Sequence, residues 1–140
     1  MIDIYYVERC TQKEKGWLLN EKQDGPGMNE EWVSQIKRGT LEYVLMLLIR
    51  QQDRYGYDLI QILNDYPMLK TQESTIYPLL RRLLKKGYLE SYWQNLDEGT
   101  PARKYYRITQ KGLVYVQHLD SDWQRLVQSI SKLGKGTKNV

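Results

Sequence analysis

The clearest helical periodicity of apolar and polar positions along the chain begins near residue 74. At about 100° per residue, one helical stripe would hold Ile76, Leu79, Leu80, Leu83 and Leu84. The opposite face would carry Ser74, Pro78, Arg81 and Lys85. Gly87 follows the last apolar position and suits a left-handed C-terminal cap. The pattern therefore predicts an amphipathic helix with a cationic outer face.

The start of this helix depends on Pro78. If Ser74 or Thr75 caps the helix, the proline falls in or beside the first turn, where its missing N–H costs little. If the helix begins near Thr71, the proline lies inside it and costs roughly 3 kcal/mol. The sequence leaves both starts open.

The neighbouring patterns place two helices before this one and a hairpin after it. A first helix is predicted over about Glu30–Gln51, a turn over Gln51–Gly56, and a second helix over about Tyr57–Tyr66, ended by the following proline. Strands are predicted near Tyr88–Gln94 and Arg103–Ile108, with Trp93 directed into the core. The fold class is mainly α with a small two-stranded β-wing, which is a winged helix-turn-helix.

The last helical pattern is a heptad repeat in which apolar residues step by three and four positions. These residues are Val116, Leu119, Trp123, Leu126, Ile130 and Leu133. Thr109 suits the N-cap of this helix. Because the domain before it has its own core, we predict that the stripe forms the interface of a homodimer. Packing of the stripe against the first helix of the same chain is the alternative.

Breaker residues and caps divide the chain into four segments. We predict a flexible N-terminal extension at residues 1–28, the winged helix at 29–109, a C-terminal dimerisation helix at 110–133 and a tail at 134–140. The extension ends near Asp24–Gly27, and Asn29 with two acids after it suits a new helix start. A short element around Ile2–Val7 that packs on the core is the alternative to a flexible extension.

The positive charge is concentrated on the predicted helix and hairpin. Residues 74–111 contain eight Lys or Arg against three Asp or Glu, a local net charge of +5, while the whole chain carries +4. A basic helix followed by a basic hairpin is typical of a protein that binds double-stranded DNA. A solvated basic face is the alternative for a single helix, and the hairpin that follows makes it less favoured.

Composition excludes several other classes. No apolar run approaches the length of a membrane span and no secretory signal is visible, so we expect a cytoplasmic protein without a membrane partner. Cys10 is the single cysteine and His118 the single histidine. With no metal-binding motif, no nucleotide-phosphate loop and no nucleophile motif, we expect no metal, no cofactor and no enzymatic activity.

Four blocks of the sequence resemble the PadR family of bacterial transcriptional regulators, and they occur in the family's order. The blocks are Lys37–Ile49, Tyr55–Leu63, Ser74–Trp93 and Ala102–Gly112. The resemblance covers about residues 30–133 and fits the compact branch with a single C-terminal helix. It implies a homodimeric DNA-binding repressor that acts on an inverted-repeat operator and responds to a small molecule. A winged helix that binds protein or RNA is the alternative function.

The resemblance also implies roles for individual residues. The recognition helix and wing would contact DNA through Ser74, Thr75, Tyr77, Arg81, Arg103 and Lys104, and the nearby cations Lys70 and Lys85 complete the predicted set. Some members of the family stack planar aromatic ligands between tryptophans of the dimer helices, and Trp123 occupies the matching position. A packed aromatic in the dimer core is the alternative for Trp123. Asp120 would favour a cationic ligand at the same place.

Overall fold

A computed structural model of the chain describes residues 27–136. The predicted extension, apart from its last two residues, and positions 137–140 of the tail lie outside the described residues. The chain divides into the units Met1–Val33 and Ser34–Val140. In the first unit, the backbone N–H of Trp32 donates a hydrogen bond to the Asn29 side-chain oxygen at 2.9 Å, which confirms the predicted N-cap.

Four helices and three strands make up the described fold. In chain order they are α1 (Glu30–Gln51), β1 (Arg54–Tyr55), α2 (Gly56–Asn64), α3 (Glu73–Lys85), β2 (Leu89–Gln94), β3 (Arg103–Ile108) and α4 (Gln110–Gly134). The predicted fold class, mainly α with a β-wing, is confirmed. The strands form one antiparallel sheet in the order β1-β3-β2.

Strand β1 corrects the prediction of a simple turn over Gln51–Gly56. Arg54 pairs with Tyr106 and Tyr55 with Tyr105, so the sheet gains a third strand beside the hairpin. Two residues are too few to show the alternation by which a strand is recognised in a sequence. The pairing therefore depends on contacts between residues about fifty positions apart.

Helix α3 begins one residue before Ser74, at Glu73, and Pro78 lies inside it. The start therefore does not use Ser74 or Thr75 as a cap, and the carbonyl of Ser74 lacks the N–H that another residue at position 78 would donate. The end is as predicted. Gly87 has a φ of 80°, and the N–H of Tyr88 donates to the Leu83 carbonyl at 3.0 Å.

The core of the second unit lies between α1, α2 and α3, and the sheet and α4 close it. Its fully buried side chains are Leu45, Met46, Ile49, Leu59, Leu63, Ile76, Leu80, Leu83 and Val116. Burial of Ile76, Leu80 and Leu83 confirms the predicted inner face of α3. Leu89 and Tyr106 cover this core from the sheet.

Helix α4 is attached to the winged helix over about its first half. Thr109 caps it as predicted, because its hydroxyl accepts from the Gly112 N–H at 3.0 Å and donates to the Gly87 carbonyl at 2.6 Å. Val116 is fully buried in this chain's own core, so its predicted place in a dimer interface is wrong. The predicted stripe is thus split: its first residue is packed inside the domain, its second is half-buried, and the residues from Trp123 onward are exposed.

Candidate nucleic-acid interface

The outer face of α3 brings together the predicted contacts of the recognition helix. Ser74, Thr75, Arg81 and Lys85 are exposed, and Tyr77 is half-buried beside them. Lys70 is exposed in the connection that leads into α3, and its carbonyl accepts a hydrogen bond from the Lys37 ammonium at 2.6 Å. The helix therefore presents small hydroxyls at its start and cations further along.

Aromatic rings hold the two predicted cations of the wing. The Arg103 guanidinium lies 5.0 Å from the centre of the Tyr55 ring, and the Lys104 ammonium lies 5.8 Å from the centre of the Tyr106 ring. Both distances allow a favourable cation–π interaction, worth about 0.5–1 kcal/mol at an exposed site. Each cation therefore has a ring beside its charged group, which restricts where that group can lie.

Other cations of the same region are used inside the protein. Arg82 forms an ion pair with Glu42 of α1, and Arg107 pairs with Asp53 at 3.2 Å and with Glu90 at 3.7 Å. The Lys111 ammonium donates to the backbone carbonyl that follows α3, at 2.8 Å. Arg82 thus joins α3 to α1, Lys111 joins α4 to the end of α3, and Arg107 joins β3 to β2 and to the segment between α1 and β1.

The other five cations of residues 74–111 share one property. Within residues 27–136, no carboxylate forms an ion pair with any of them: Arg81, Lys85, Lys86, Arg103 and Lys104. All but Lys86 belong to the predicted DNA-binding set. The predicted local charge is correct, but the sequence does not distinguish the paired arginines from the unpaired ones.

A groove with a volume of about 710 Å³ separates α3 from the wing. Tyr77 and Arg81 line it from α3, and Trp93 and Lys104 line it from the wing. The prediction that Trp93 lies in the core is wrong, because its side chain is 68% exposed. Leu89 at the start of β2 reaches the core, but position 93 is about 13 Å further along the strand.

Two phenols at this groove, those of Tyr77 and Tyr106, have a raised pKa. Burial, with smaller contributions from the charges of Glu73 and Tyr55, raises the pKa of Tyr77. Burial also raises the pKa of Tyr106.

Gly56 makes room for the ring of Tyr77, since a Cβ at position 56 would lie 2.9 Å from the Tyr77 Cε1 atom. The sequence gives no sign of this role, because it depends on the approach of α2 to α3.

The second half of α4 exposes the later residues of the predicted dimer stripe. Leu119 is half-buried, whereas Trp123, Leu126, Ile130 and Leu133 are exposed. Val127 is exposed too and was not in the predicted stripe. The Trp123 ring lies 6.3 Å from the Tyr43 ring of α1, measured between ring centres.

Asp120 has partners inside the chain. Its carboxylate accepts from the Tyr43 hydroxyl at 2.5 Å and forms an ion pair with Arg50 at 2.6 Å. Because the Arg50 guanidinium neutralises this carboxylate, the predicted attraction of a cationic ligand gives way to a structural role. Asp120 joins α4 to α1 one turn before Trp123.

Comparison with known proteins agrees with this arrangement. The sequence pattern of the transcriptional regulator PadR-like family matches residues 44–118. An uncharacterised protein of Lysinibacillus sphaericus is 34% identical over 105 residues, which are 74% of this chain and 95% of the relative.

No helix within residues 27–136 is long and apolar enough to cross a membrane.

Solved structures show the same fold at similar sequence identity. A PadR family transcriptional regulator from Eggerthella lenta is 34% identical, with a TM-score of 0.68, over 77% of this chain and 93% of the other. A PadR-like transcriptional regulator from Bacillus cereus is 33% identical, with a TM-score of 0.66, over 73% of this chain and 98% of the other. PadR regulators are non-enzymatic transcription factors that bind DNA. The chain belongs to the PadR-like family of transcriptional regulators.

Proposed function

We propose that the protein is a sequence-specific repressor that binds double-stranded DNA through α3 and the wing. The observation that carries this proposal is the distribution of paired and unpaired cations. Arg82 and Arg107 are bound by carboxylates, whereas Arg81 and Lys85 on α3 and Arg103 on the wing have no carboxylate partner among the described residues. A helix in the major groove and a wing on the backbone would use these cations.

We further propose that the regulator is a homodimer through the exposed part of α4. The second half of α4 has an exposed apolar side among the described residues, formed by Trp123, Leu126, Ile130 and Leu133. Pairing of this side with its own copy would produce a two-fold axis. Two recognition helices related by that axis would read an inverted-repeat operator.

The proposed effector is a planar aromatic molecule at Trp123. The indole is 40% exposed and lies beside Tyr43, so a two-fold axis near it would bring a second indole close. Two such rings can stack on a flat guest, and a guest that spreads the helices would change the spacing of the recognition helices. A weaker affinity of Trp123→Ala for a planar aromatic compound, measured by calorimetry, would support this site. Unchanged ligand affinity would leave Trp123 as a packed aromatic of the dimer.

A matched pair of arginine variants tests the DNA-binding face. Duplex DNA from immediately upstream of the protein's own gene is titrated by fluorescence anisotropy with wild type, Arg81→Ala and Arg82→Ala. Arg81 faces outward without a carboxylate partner among the described residues, so its removal should weaken binding about 5- to 150-fold. Arg82 is paired with Glu42, so its removal should change the affinity much less.

Two results of this titration would contradict the assignment of α3 as the DNA-binding helix. Equal losses in both variants would show that net charge matters and the face does not. Wild-type affinity in Arg81→Ala would remove α3 as the element that reads DNA.

A further inference from the structure

The groove between α3 and the wing has a volume of about 710 Å³, which is within the range of volumes found for small-molecule sites. Arg81 stands on the α3 side, and Arg103 and Lys104 stand on the wing side. The groove therefore has cations on both of its walls.

The wing side of this groove also has an apolar part. Trp93, Pro101 and Ala102 line it, and the indole is 68% exposed. None of the described residues that line the groove is acidic. A matching occupant would be anionic at two separated points and apolar between them.

The sugar–phosphate backbone of DNA has this chemistry, because each deoxyribose lies between two phosphates. If α3 occupies the major groove and the wing lies over the next groove, the strand that separates the two must pass between them. The groove lies at this place, between α3 and the wing. Arg103 and Lys104 remain directed to it because the rings of Tyr55 and Tyr106 support them.

We propose that this groove receives one strand of the DNA backbone, with Trp93 packed on a deoxyribose while Arg81 and Arg103 bind the adjoining phosphates. The inference rests on the proposed DNA-binding function and adds a contact that carries no charge. Such a contact responds to the path and width of the backbone and contributes to shape readout. Trp93 is thus a DNA-contacting residue of the wing.

Salt dependence separates this contact from the ionic ones. Binding of the upstream duplex is measured by anisotropy at several salt concentrations for wild type, Trp93→Ala and Arg103→Ala. Trp93→Ala should weaken binding about tenfold at every concentration and leave the slope of log K against log salt unchanged, because an apolar contact releases no counterions. Arg103→Ala should make the slope shallower by about 1 for each protomer.

Two further variants complete the test. Trp93→Phe keeps an apolar ring and should retain most of the affinity. Leu96→Ala removes an apolar side chain that is 59% exposed in the wing turn and does not line the groove, so it should bind like wild type. Thermal unfolding of Trp93→Ala should match wild type, because the removed side chain is exposed.

The possible failures can be told apart. Wild-type affinity in Trp93→Ala, together with a steep slope in the wild type, would overturn the groove contact and leave the DNA-binding function standing. A shallower slope in Trp93→Ala would mean that the indole only positions Lys104, its partner in the strand register, and would also overturn the contact. Absence of duplex binding by the wild type would overturn the proposed function itself.

Discussion

Substitution of Gly112 tests how α4 is fixed to the winged helix. This glycine is the third residue of α4, and its N–H is bound by the Thr109 hydroxyl. An ideal Cβ at position 112 would lie 2.1 Å from the Tyr88 carbonyl oxygen and 2.8 Å from the Ile108 Cγ1 atom. The closer obstacle is backbone, so a side-chain rotation cannot relieve the overlap. Gly112→Ala must push α4 away from the segment between α3 and β2.

The expected cost of Gly112→Ala follows from three contributions. Alanine is favoured over glycine in a helix by about 1 kcal/mol, which opposes the loss. Overpacking costs about 1–3 kcal/mol, and contact with backbone places this case at the upper end. Movement of α4 also endangers the hydrogen bond from the Thr109 N–H to the Tyr88 carbonyl, 3.1 Å long and worth about 1 kcal/mol. We expect a net loss of about 2–3 kcal/mol in the free energy of unfolding.

Urea unfolding at one protein concentration measures this change, with Gly39→Ala as the matched control. Gly39 lies within α1, and a Cβ there would meet no atom within 4 Å. Gly39→Ala should therefore stabilise the protein by up to about 1 kcal/mol. Equal stability of Gly112→Ala and Gly39→Ala would refute the close approach of α4 to Tyr88.

Three further predictions concern α4. Burial, followed by the hydrogen bond to a neighbouring carboxylate, raises the pKa of Tyr115 to about 12. The protein should therefore lose stability as the pH rises from about 10 to about 12. Tyr115→Phe should remove that loss from a plot of the urea midpoint against pH. Asp120→Asn should cost about 1–3 kcal/mol in urea unfolding because it leaves a mostly buried arginine unpaired, whereas Asp122→Asn, whose carboxylate is 70% exposed, should cost less than about 1 kcal/mol. Leu126→Asp should convert a dimer to a monomer in light scattering, and a wild-type monomer would exclude this interface.

Local patterns predicted much of the fold. The stripe of α3, the glycine that ends it and the caps at Asn29 and Thr109 all depend on residues a few positions apart, and the structure confirms each of them. Strand β1 and the clearance at Gly56 depend on residues far apart in the chain, so no local pattern indicates them.

The candidate site was predictable in charge and less so in geometry. Arg81 and Arg82 are adjacent and chemically identical, yet only Arg82 meets Glu42, because α1 packs on that side of α3. Val116 and Ile130 belong to the same heptad repeat, but only the first turns of α4 reach the domain core. In both cases, residues that look equivalent in the sequence differ because other elements of the fold pack against only one of them.

The salt dependence of wild-type DNA binding tests the central claim most directly. In each chain, four cations of α3 and β3 have no carboxylate partner among the described residues and would face the duplex: Arg81, Lys85, Arg103 and Lys104. If each protomer of a dimer makes about three to five phosphate contacts, log K should fall against log salt with a slope of about −5 to −9. A slope near zero would contradict the claim, because a surface that binds DNA through these cations must release counterions.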